Sequence, residues 1–403
     1  MMGMNFYGRT PVMIAAFSAV STNENAFDAG REAAQAAMAG LSAAPSIFWV
    51  FGAIAYDQQR LLDGVAAAAG DTPLIGCTTD GEISTAGLSV DSVVVLAMAS
   101  DSIQFHTASV EHLSKDSFGA GVALAKQFQS LDSRYLQVFS DGLTGNADKV
   151  LQGIKSRLGE DIKIAGGTAG DGGHFKQTFQ YCRGRVLNDS IVAVAFDGDF
   201  SFGTGTACGW FPVGLTKQVT RAVDNVVYEL DGRPALQAYE KFLGKHAALL
   251  PAVGVEYPLG LLGPCCDAGE ETHFLCRATM GVDREAGAVV FAGDVPQGAR
   301  VKMTIGNDAD IIAAAGKGAR IAMDKLPLRK AASKPKAVFL YSCMARKLVL
   351  GSRTNEEILA VQHEVGNTVP LIGFYTYGEY APAGRSDHSF FHNETVTMTV
   401  IGD

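Results

Sequence analysis

Pro370-Leu371-Ile372-Gly373-Phe374-Tyr375-Thr376-Tyr377-Gly378-Glu379-Tyr380-Ala381-Pro382 opens as a short apolar run, breaks at glycine and reaches an acid. The frame recurs. Pro73-Leu74-Ile75-Gly76-Cys77-Thr78-Thr79-Asp80-Gly81-Glu82 repeats Pro-Leu-Ile-Gly, then two residues, Thr, one residue, Gly-Glu. Ile162-Lys163-Ile164-Ala165-Gly166-Gly167-Thr168-Ala169-Gly170-Asp171-Gly172 is a looser third copy. A buried strand that opens into a glycine-loosened polar loop is where α/β proteins hold ligands.

Outward from the three copies, strand-like and helix-like runs alternate. Residues 13–17, 47–51 and 92–98 read as strands around the first copy, with Ala-rich helices over 25–38 and 58–69. About ninety residues later the order restarts. Phe27-x-x-Gly30 returns as Phe118-x-x-Gly121, and the strand at 47–51 returns at 136–139. A third pass runs through the strand 301–305, the helix 311–323, the strand 337–341, the helix 355–365 and the closing strand 395–400. The period and the element order both return, which signals internal duplication. The apolar runs are nearly unbroken, as in strands covered on both faces. The fold expected is α/β, with repeated βα units in two packed domains, residues 1–219 and 220–403, and mostly covered sheets.

Composition narrows the function. The net charge is −9 and no long basic run occurs, which argues against nucleic-acid binding. The seven cysteines show no Cys-x-x-Cys spacing, so neither a paired-cysteine zinc site nor covalent c-type haem is indicated. Reduced thiols, no signal-peptide pattern and no apolar run long enough to span a bilayer lead us to expect a cytoplasmic protein without a membrane partner. Gly166-Gly167-Thr168-Ala169-Gly170-Asp171-Gly172-Gly173 lacks the Gly-Lys-Ser/Thr of a phosphate loop and precedes a strand, so a nucleotide cradle is not expected.

Several motifs in order resemble the FIST sensory family, whose members carry a FIST N and a FIST C part in tandem. The first part is matched by the frames at 73–82 and 165–172. The second is matched by Tyr228-Glu229-Leu230-Asp231-Gly232-Arg233-Pro234-Ala235-Leu236, Tyr257-Pro258-Leu259-Gly260, Tyr341-Ser342-Cys343-Met344-Ala345-Arg346, 373–379 and His392-Asn393-Glu394-Thr395. The resemblance implies a small-molecule input module rather than a catalyst. A similar stand-alone subgroup, NosP, implies haem b, nitric oxide as the signal, and a separate histidine kinase or diguanylate cyclase/phosphodiesterase as partner, with a homo-oligomer also in view. A free amino acid or similar metabolite is the alternative ligand.

The residues themselves point to a ligand site at the two Gly-Glu frames. Thr79 with Glu82 and Thr376 with Glu379 are expected to line a concave surface, with Cys77 and Tyr377 in the same frames. Cys343 and Arg346 follow a predicted strand end. There a cysteine could act as nucleophile or soft ligand, and an arginine could hold a carboxylate bidentately. A Cys343-dependent hydrolase or transferase is therefore the reading from another class. If haem binds, the expected axial ligand is His246, just past a predicted helix, or His392, between Phe391 and the acceptors Asn393 and Glu394.

Overall fold

The computed structural model describes residues 14–263, 274–327, 334–384 and 387–403, so Cys265, Cys266 and His273 lie outside the described residues. The first repeat runs β1 (Ile14–Ser21), α1 (Ala26–Ala39), β2 (Ile47–Ala53), α2 (Gln58–Ala69), β3 (Leu74–Thr79), the hairpin β4 (Glu82–Ser84) and β5 (Gly87–Ser89), and β6 (Val93–Ser100). The second runs β7 (Ile103–Glu111), α3 (Ser117–Lys126), β8 (Tyr135–Ser140), α4 (Ala147–Leu158), β9 (Lys163–Thr168), the hairpin β10 (Gln180–Cys182) and β11 (Arg185–Leu187), and β12 (Ser190–Gly198).

The third repeat opens with β13 (Ser201–Ala207) and is then interrupted. The inserted subdomain holds β14 (Trp210–Val223), β15 (Val226–Leu230), β16 (Arg233–Pro234), α5 (Ala235–Leu243), β17 (Leu259–Leu262), β18 (Phe274–Arg277), β19 (Thr279–Asp283), β20 (Ala288–Phe291) and β21 (Arg300–Gly306), whose strands form one sheet. The repeat resumes with α6 (Asp308–Lys325), β22 (Pro335–Cys343), α7 (Met344–Leu350), α8 (Thr354–Val365), β23 (Leu371–Thr376), the hairpin β24 (Glu379–Ala383) and β25 (His388–His392), and β26 (Val396–Gly402). The α/β class and the repeated βα units are as the sequence indicates. Residues 219 and 220, the sequence-based boundary, both lie in β14.

Each repeat builds one six-stranded sheet, but not alone. The orders are β1-β6-β2-β3-β10-β11, β7-β12-β8-β9-β24-β25 and β13-β26-β22-β23-β4-β5. The hairpin after each frame leaves its own sheet and completes another repeat's sheet, in a closed cycle. The strands at 47–51, 136–139 and 337–341 hold equivalent places, as their shared order predicts. Backbone bonds around the centre repeat the cycle: Thr78 N donates to Phe179 O (2.9 Å), Thr168 N to Gly378 O (2.8 Å) and Tyr375 N to Gly81 O (2.9 Å). The exchange covers the edges of β3, β9 and β23 and leaves the short hairpin strands β11, β25 and β5 at the ends of the sheets, and short edge strands limit pairing with other chains.

The inner faces of the three sheets meet on one aromatic core. Phe51, Phe139 and Tyr341 occupy equivalent positions on β2, β8 and β22, and their ring centroids lie 5.4, 5.8 and 6.4 Å apart. The Trp49 indole donates to Gln137 Oε1 (2.6 Å), and Gln137 Nε2 to the Tyr135 hydroxyl (3.1 Å), so this core's buried amide is satisfied. The outer faces pack against helix pairs, in the first repeat through Ala29, Ala33 and Ala37 of α1. Coverage on both faces explains the unbroken apolar runs.

Candidate functional site

The two glutamates are not on a concave surface, contrary to expectation. Glu82 is 1% and Glu379 0% exposed. Each ties its hairpin to the strand that follows. Glu82 accepts from the Thr79 hydroxyl and from Ser92 Oγ at 2.7 Å. Glu379 accepts from Thr376 Oγ1 at 2.9 Å and Thr395 Oγ1 at 2.6 Å. The physical reason is the hairpin exchange, which lays another repeat's strand over each acid. In the second repeat the register place of these acids falls to Gln180, opposite Cys77, as Glu82 lies opposite Phe374 and Glu379 opposite Gly167.

Burial raises both carboxyls, Glu82 to about 7 and Glu379 to about 8, against the hydroxyl bonds that lower them. Folding therefore favours the protonated form. Its contribution is fully present below the ordinary value of 4.5 and is lost as pH rises through about 7 and about 8. We expect the urea midpoint of the wild type to fall between pH 5 and 8 relative to a Glu82→Gln/Glu379→Gln variant. The window should be worth on the order of a few kcal/mol. Parallel pH profiles for the two proteins would show that the acids titrate elsewhere.

Cys77, Cys343 and Arg346 are likewise interior. Cys77 lies in the aromatic core. Cys343 is 3% exposed, and burial pushes its thiol well above the ordinary range, with Glu379 and Glu394 adding to the rise. Arg346 is fully buried and engaged. It bonds Glu357 (3.2 Å), the Ile311 carbonyl (2.8 Å) and the Cys208 carbonyl, so it has no free fork for a ligand. Cys208 differs. It is partly buried, and a hydrogen bond from the Cys276 thiol brings it below the usual value despite burial, helped by the Trp210 backbone and the Arg346 charge. With iodoacetamide near pH 7.5, Cys208 should be the first of the described cysteines alkylated, with Cys77 and Cys343 unreacted until unfolding. Peptide mapping that finds Cys343 modified first would restore the nucleophile reading.

The histidines do not fit an axial-ligand role as placed. His246 is exposed on a short 3-10 helix (Gly244–Leu249), not walled by apolar side chains. His392 is 2% exposed, but its Nε2 lies 3.1 Å from the Ala381 carbonyl, and burial lowers the imidazole to about 4. Among the described residues, no group of three or more His, Cys, Asp or Glu side chains is placed to hold a metal ion.

An open cleft of about 690 Å³ lies elsewhere, between the second repeat and the inserted subdomain. Its walls are the loop before α3, the loop 141–147 between β8 and α4, Asn225, Met280, Phe291 and Ala292 of the insertion, and Thr168, Tyr377 and Phe391. It therefore sits outside the carboxyl ends of β8, β9 and β23, where open α/β sheets present ligand sites. Tyr377 is the one residue of the expected site that lines it. The Tyr377 hydroxyl donates to Asp171 and accepts from Gly173 N (3.0 Å), and its ring stacks on Phe175 at 4.8 Å. Burial would raise Asp171, but Tyr377 and the amides of Lys176, Gln177 and Phe175 outweigh it and hold the carboxyl below its usual range. The loop 141–147 escaped the sequence reading. Its signal was there: Asp141-Gly142-Leu143-Thr144-Gly145-Asn146 is a run of turn residues ending in an N-cap.

Residues 46–233 match the FIST N domain and residues 235–382 the FIST C domain. The chain belongs to the FIST family. FIST domains are small-ligand sensory domains, and the cleft lies where FIST N strands face FIST C residues. An uncharacterized protein of Methanocaldococcus jannaschii is 30% identical over 203 residues, 47% of this chain and 39% of its own length. An uncharacterized protein of Mycobacterium bovis is 22% identical over 95% of this chain and 98% of its own. Among solved structures, cyanuric acid hydrolase from A. caulinodans covers 46% of the chain at 10% identity with a TM-score of 0.27, too low to carry an argument. Among the described residues of this FIST chain, no helix is long and apolar enough to cross a membrane.

Proposed function

We propose that this FIST chain senses a small polar metabolite, a free amino acid or a similar compound, taken up in the cleft between the second repeat and the inserted subdomain. The observation that carries this reading is the cleft itself. Thr168, Asn146 and Tyr377 come from the repeated core, while Asn225, Met280 and Phe291 come from the insertion. A ligand touching both sides changes their relative packing, because it stabilises whichever arrangement it binds better. A separate partner reads that change, a histidine kinase or a diguanylate cyclase/phosphodiesterase, from the cytoplasm.

Haem with nitric oxide as the signal is the competing proposal, and the positions of His246 and His392 weigh against it. The test is a pair of measurements on the purified chain. A thermal-shift panel of the common amino acids should raise the midpoint for a chemically related subset, by about 2.7 kcal/mol of stability at a hundred times Kd. Added haemin should give no protein-bound Soret band. A Soret band abolished by His392→Ala or His246→Ala would overturn the metabolite reading in favour of haem.

A further inference from the structure

We propose that Cys208 and Cys276 are a redox pair, in which a peroxide converts the two thiols into a reversible disulfide between the start of the third repeat and the inserted subdomain. The pair goes beyond the sensing reading and does not depend on it. Cys208 follows the last residue of β13 and, with Gly209, makes the crossing into β14. Cys276 lies in β18 of the insertion, opposite Gly260 of β17. The fold brings them together. The Cys276 thiol donates a hydrogen bond to Cys208 Sγ, and both side chains belong to one apolar cluster with Trp210, Ile311 and Leu350. Two sulfurs that already share a hydrogen bond reach the bonding distance of about 2 Å by a small side-chain movement. Cys208 sits in a turn rather than a strand, and Arg346 Nη1 holds its carbonyl, so the turn keeps its place while the sulfur moves.

The two thiols are unequal, which orders the chemistry. Cys208 is partly exposed, whereas Cys276 is 1% exposed. The Cys276 hydrogen bond and the Arg346 charge favour the Cys208 thiolate, while burial keeps Cys276 protonated. Peroxide therefore meets Cys208 first. The thiolate attacks one peroxide oxygen and the O–O bond breaks. Hydroxide leaves and takes a solvent proton to become water, and Cys208 is left as a sulfenic acid. The Cys276 sulfur then attacks the Cys208 sulfur, its proton goes to the departing hydroxide as a second water, and the S–S bond forms. Two thiols and one hydrogen peroxide thus give one disulfide and two waters; sulfur is oxidised and peroxide oxygen reduced. Cys77, Cys182 and Cys343 are buried and burial raises each thiol, so they do not compete for the peroxide. Cys276 also precedes Arg277, whose Nη1 donates to Phe391 O (2.9 Å) and whose Nη2 faces Asp148 (3.4 Å). The disulfide fixes the strand that carries this clamp between the insertion, the third repeat and the second.

The experiment treats the reduced full chain with one equivalent of hydrogen peroxide near pH 7.5 and blocks the remaining thiols with N-ethylmaleimide. Peptide mapping without reductant should find Cys208 joined to Cys276. The free-thiol count should fall by two from seven, and dithiothreitol should restore it. In the Cys276→Ser variant the disulfide should be absent and dimedone should capture a sulfenic acid at Cys208. In Cys208→Ser the rate of thiol loss should drop about tenfold or more. Amide hydrogen exchange over residues 274–283 should slow in the oxidised wild type and recover with dithiothreitol. Seven thiols surviving the peroxide, a sulfenic acid at Cys208 that persists beside an intact Cys276, or Cys208 joined to Cys265 or Cys266 would each overturn the pair. These wild-type outcomes decide the matter even where a variant fails to fold. A mapped Cys208–Cys276 bond with unchanged exchange over 274–283 would overturn the claim that it fixes the insertion. None of these readouts involves a cleft ligand, so the pair and the sensing reading stand or fall separately.

Discussion

Replacing Arg346 with methionine is expected to remove about 3–5 kcal/mol of stability, read as a lower urea midpoint at unchanged slope. The guanidinium and the Glu357 carboxylate are both 0% exposed, so the change leaves a buried, unpaired acid. It also strands the carbonyls of Cys208 and Ile311, which Arg346 caps at the junction of the insertion with the third repeat. Removing both charges together, as Arg346→Met/Glu357→Leu, should recover much of the loss. The cost of breaking a buried pair is mainly that of the orphaned partner. A small effect for Arg346→Met alone would mean that water reaches this site.

Replacing Gly373 with alanine should cost about 3 kcal/mol or more, at the upper end of overpacking effects. The new Cβ would lie 1.7 Å from the Leu340 carbonyl oxygen and 2.6 Å from its carbon, and backbone in the middle of a sheet cannot step aside. Gly76 faces Val50 O at 1.7 Å and Gly166 faces Val138 O at 2.0 Å, so each frame should be equally intolerant. Gly316 in α6 is the control. Its added Cβ meets nothing nearer than 3.6 Å, and alanine there should be neutral or stabilising by roughly 0.5–1 kcal/mol. If Gly373→Ala and Gly316→Ala behaved alike in urea denaturation, close approach would not be why the frame carries glycine.

The frame glycines mark what was readable in advance. A glycine needed for close strand approach recurs in sequence because each repeat needs it at the same place. Strands such as Val93–Ser100 are apolar up to their last residue because helices and the central core cover both faces. The twin helix glycines, Gly30 and Gly121, were visible as a spaced motif, although their role in helix contact was not. The third frame misled in one respect. Its acid, Asp171, falls in a loop that delays the hairpin until Gln180, and a length change of that kind shifts register without altering composition.

By itself the sequence determined the α/β class and the threefold recurrence of strand, helix and glycine frame, because local periodicity and spacing carry that information, and its motifs in order carried the resemblance to the FIST family. Only the tertiary structure decided where each hairpin goes. Glu82 meets Phe374, and Glu379 meets Gly167, across separations of some two to three hundred residues that no local pattern encodes. That pairing buries the two acids, which looked like site residues. It also leaves the Thr168 hydroxyl without the backbone amide that its equivalent, Thr78, receives from Phe179.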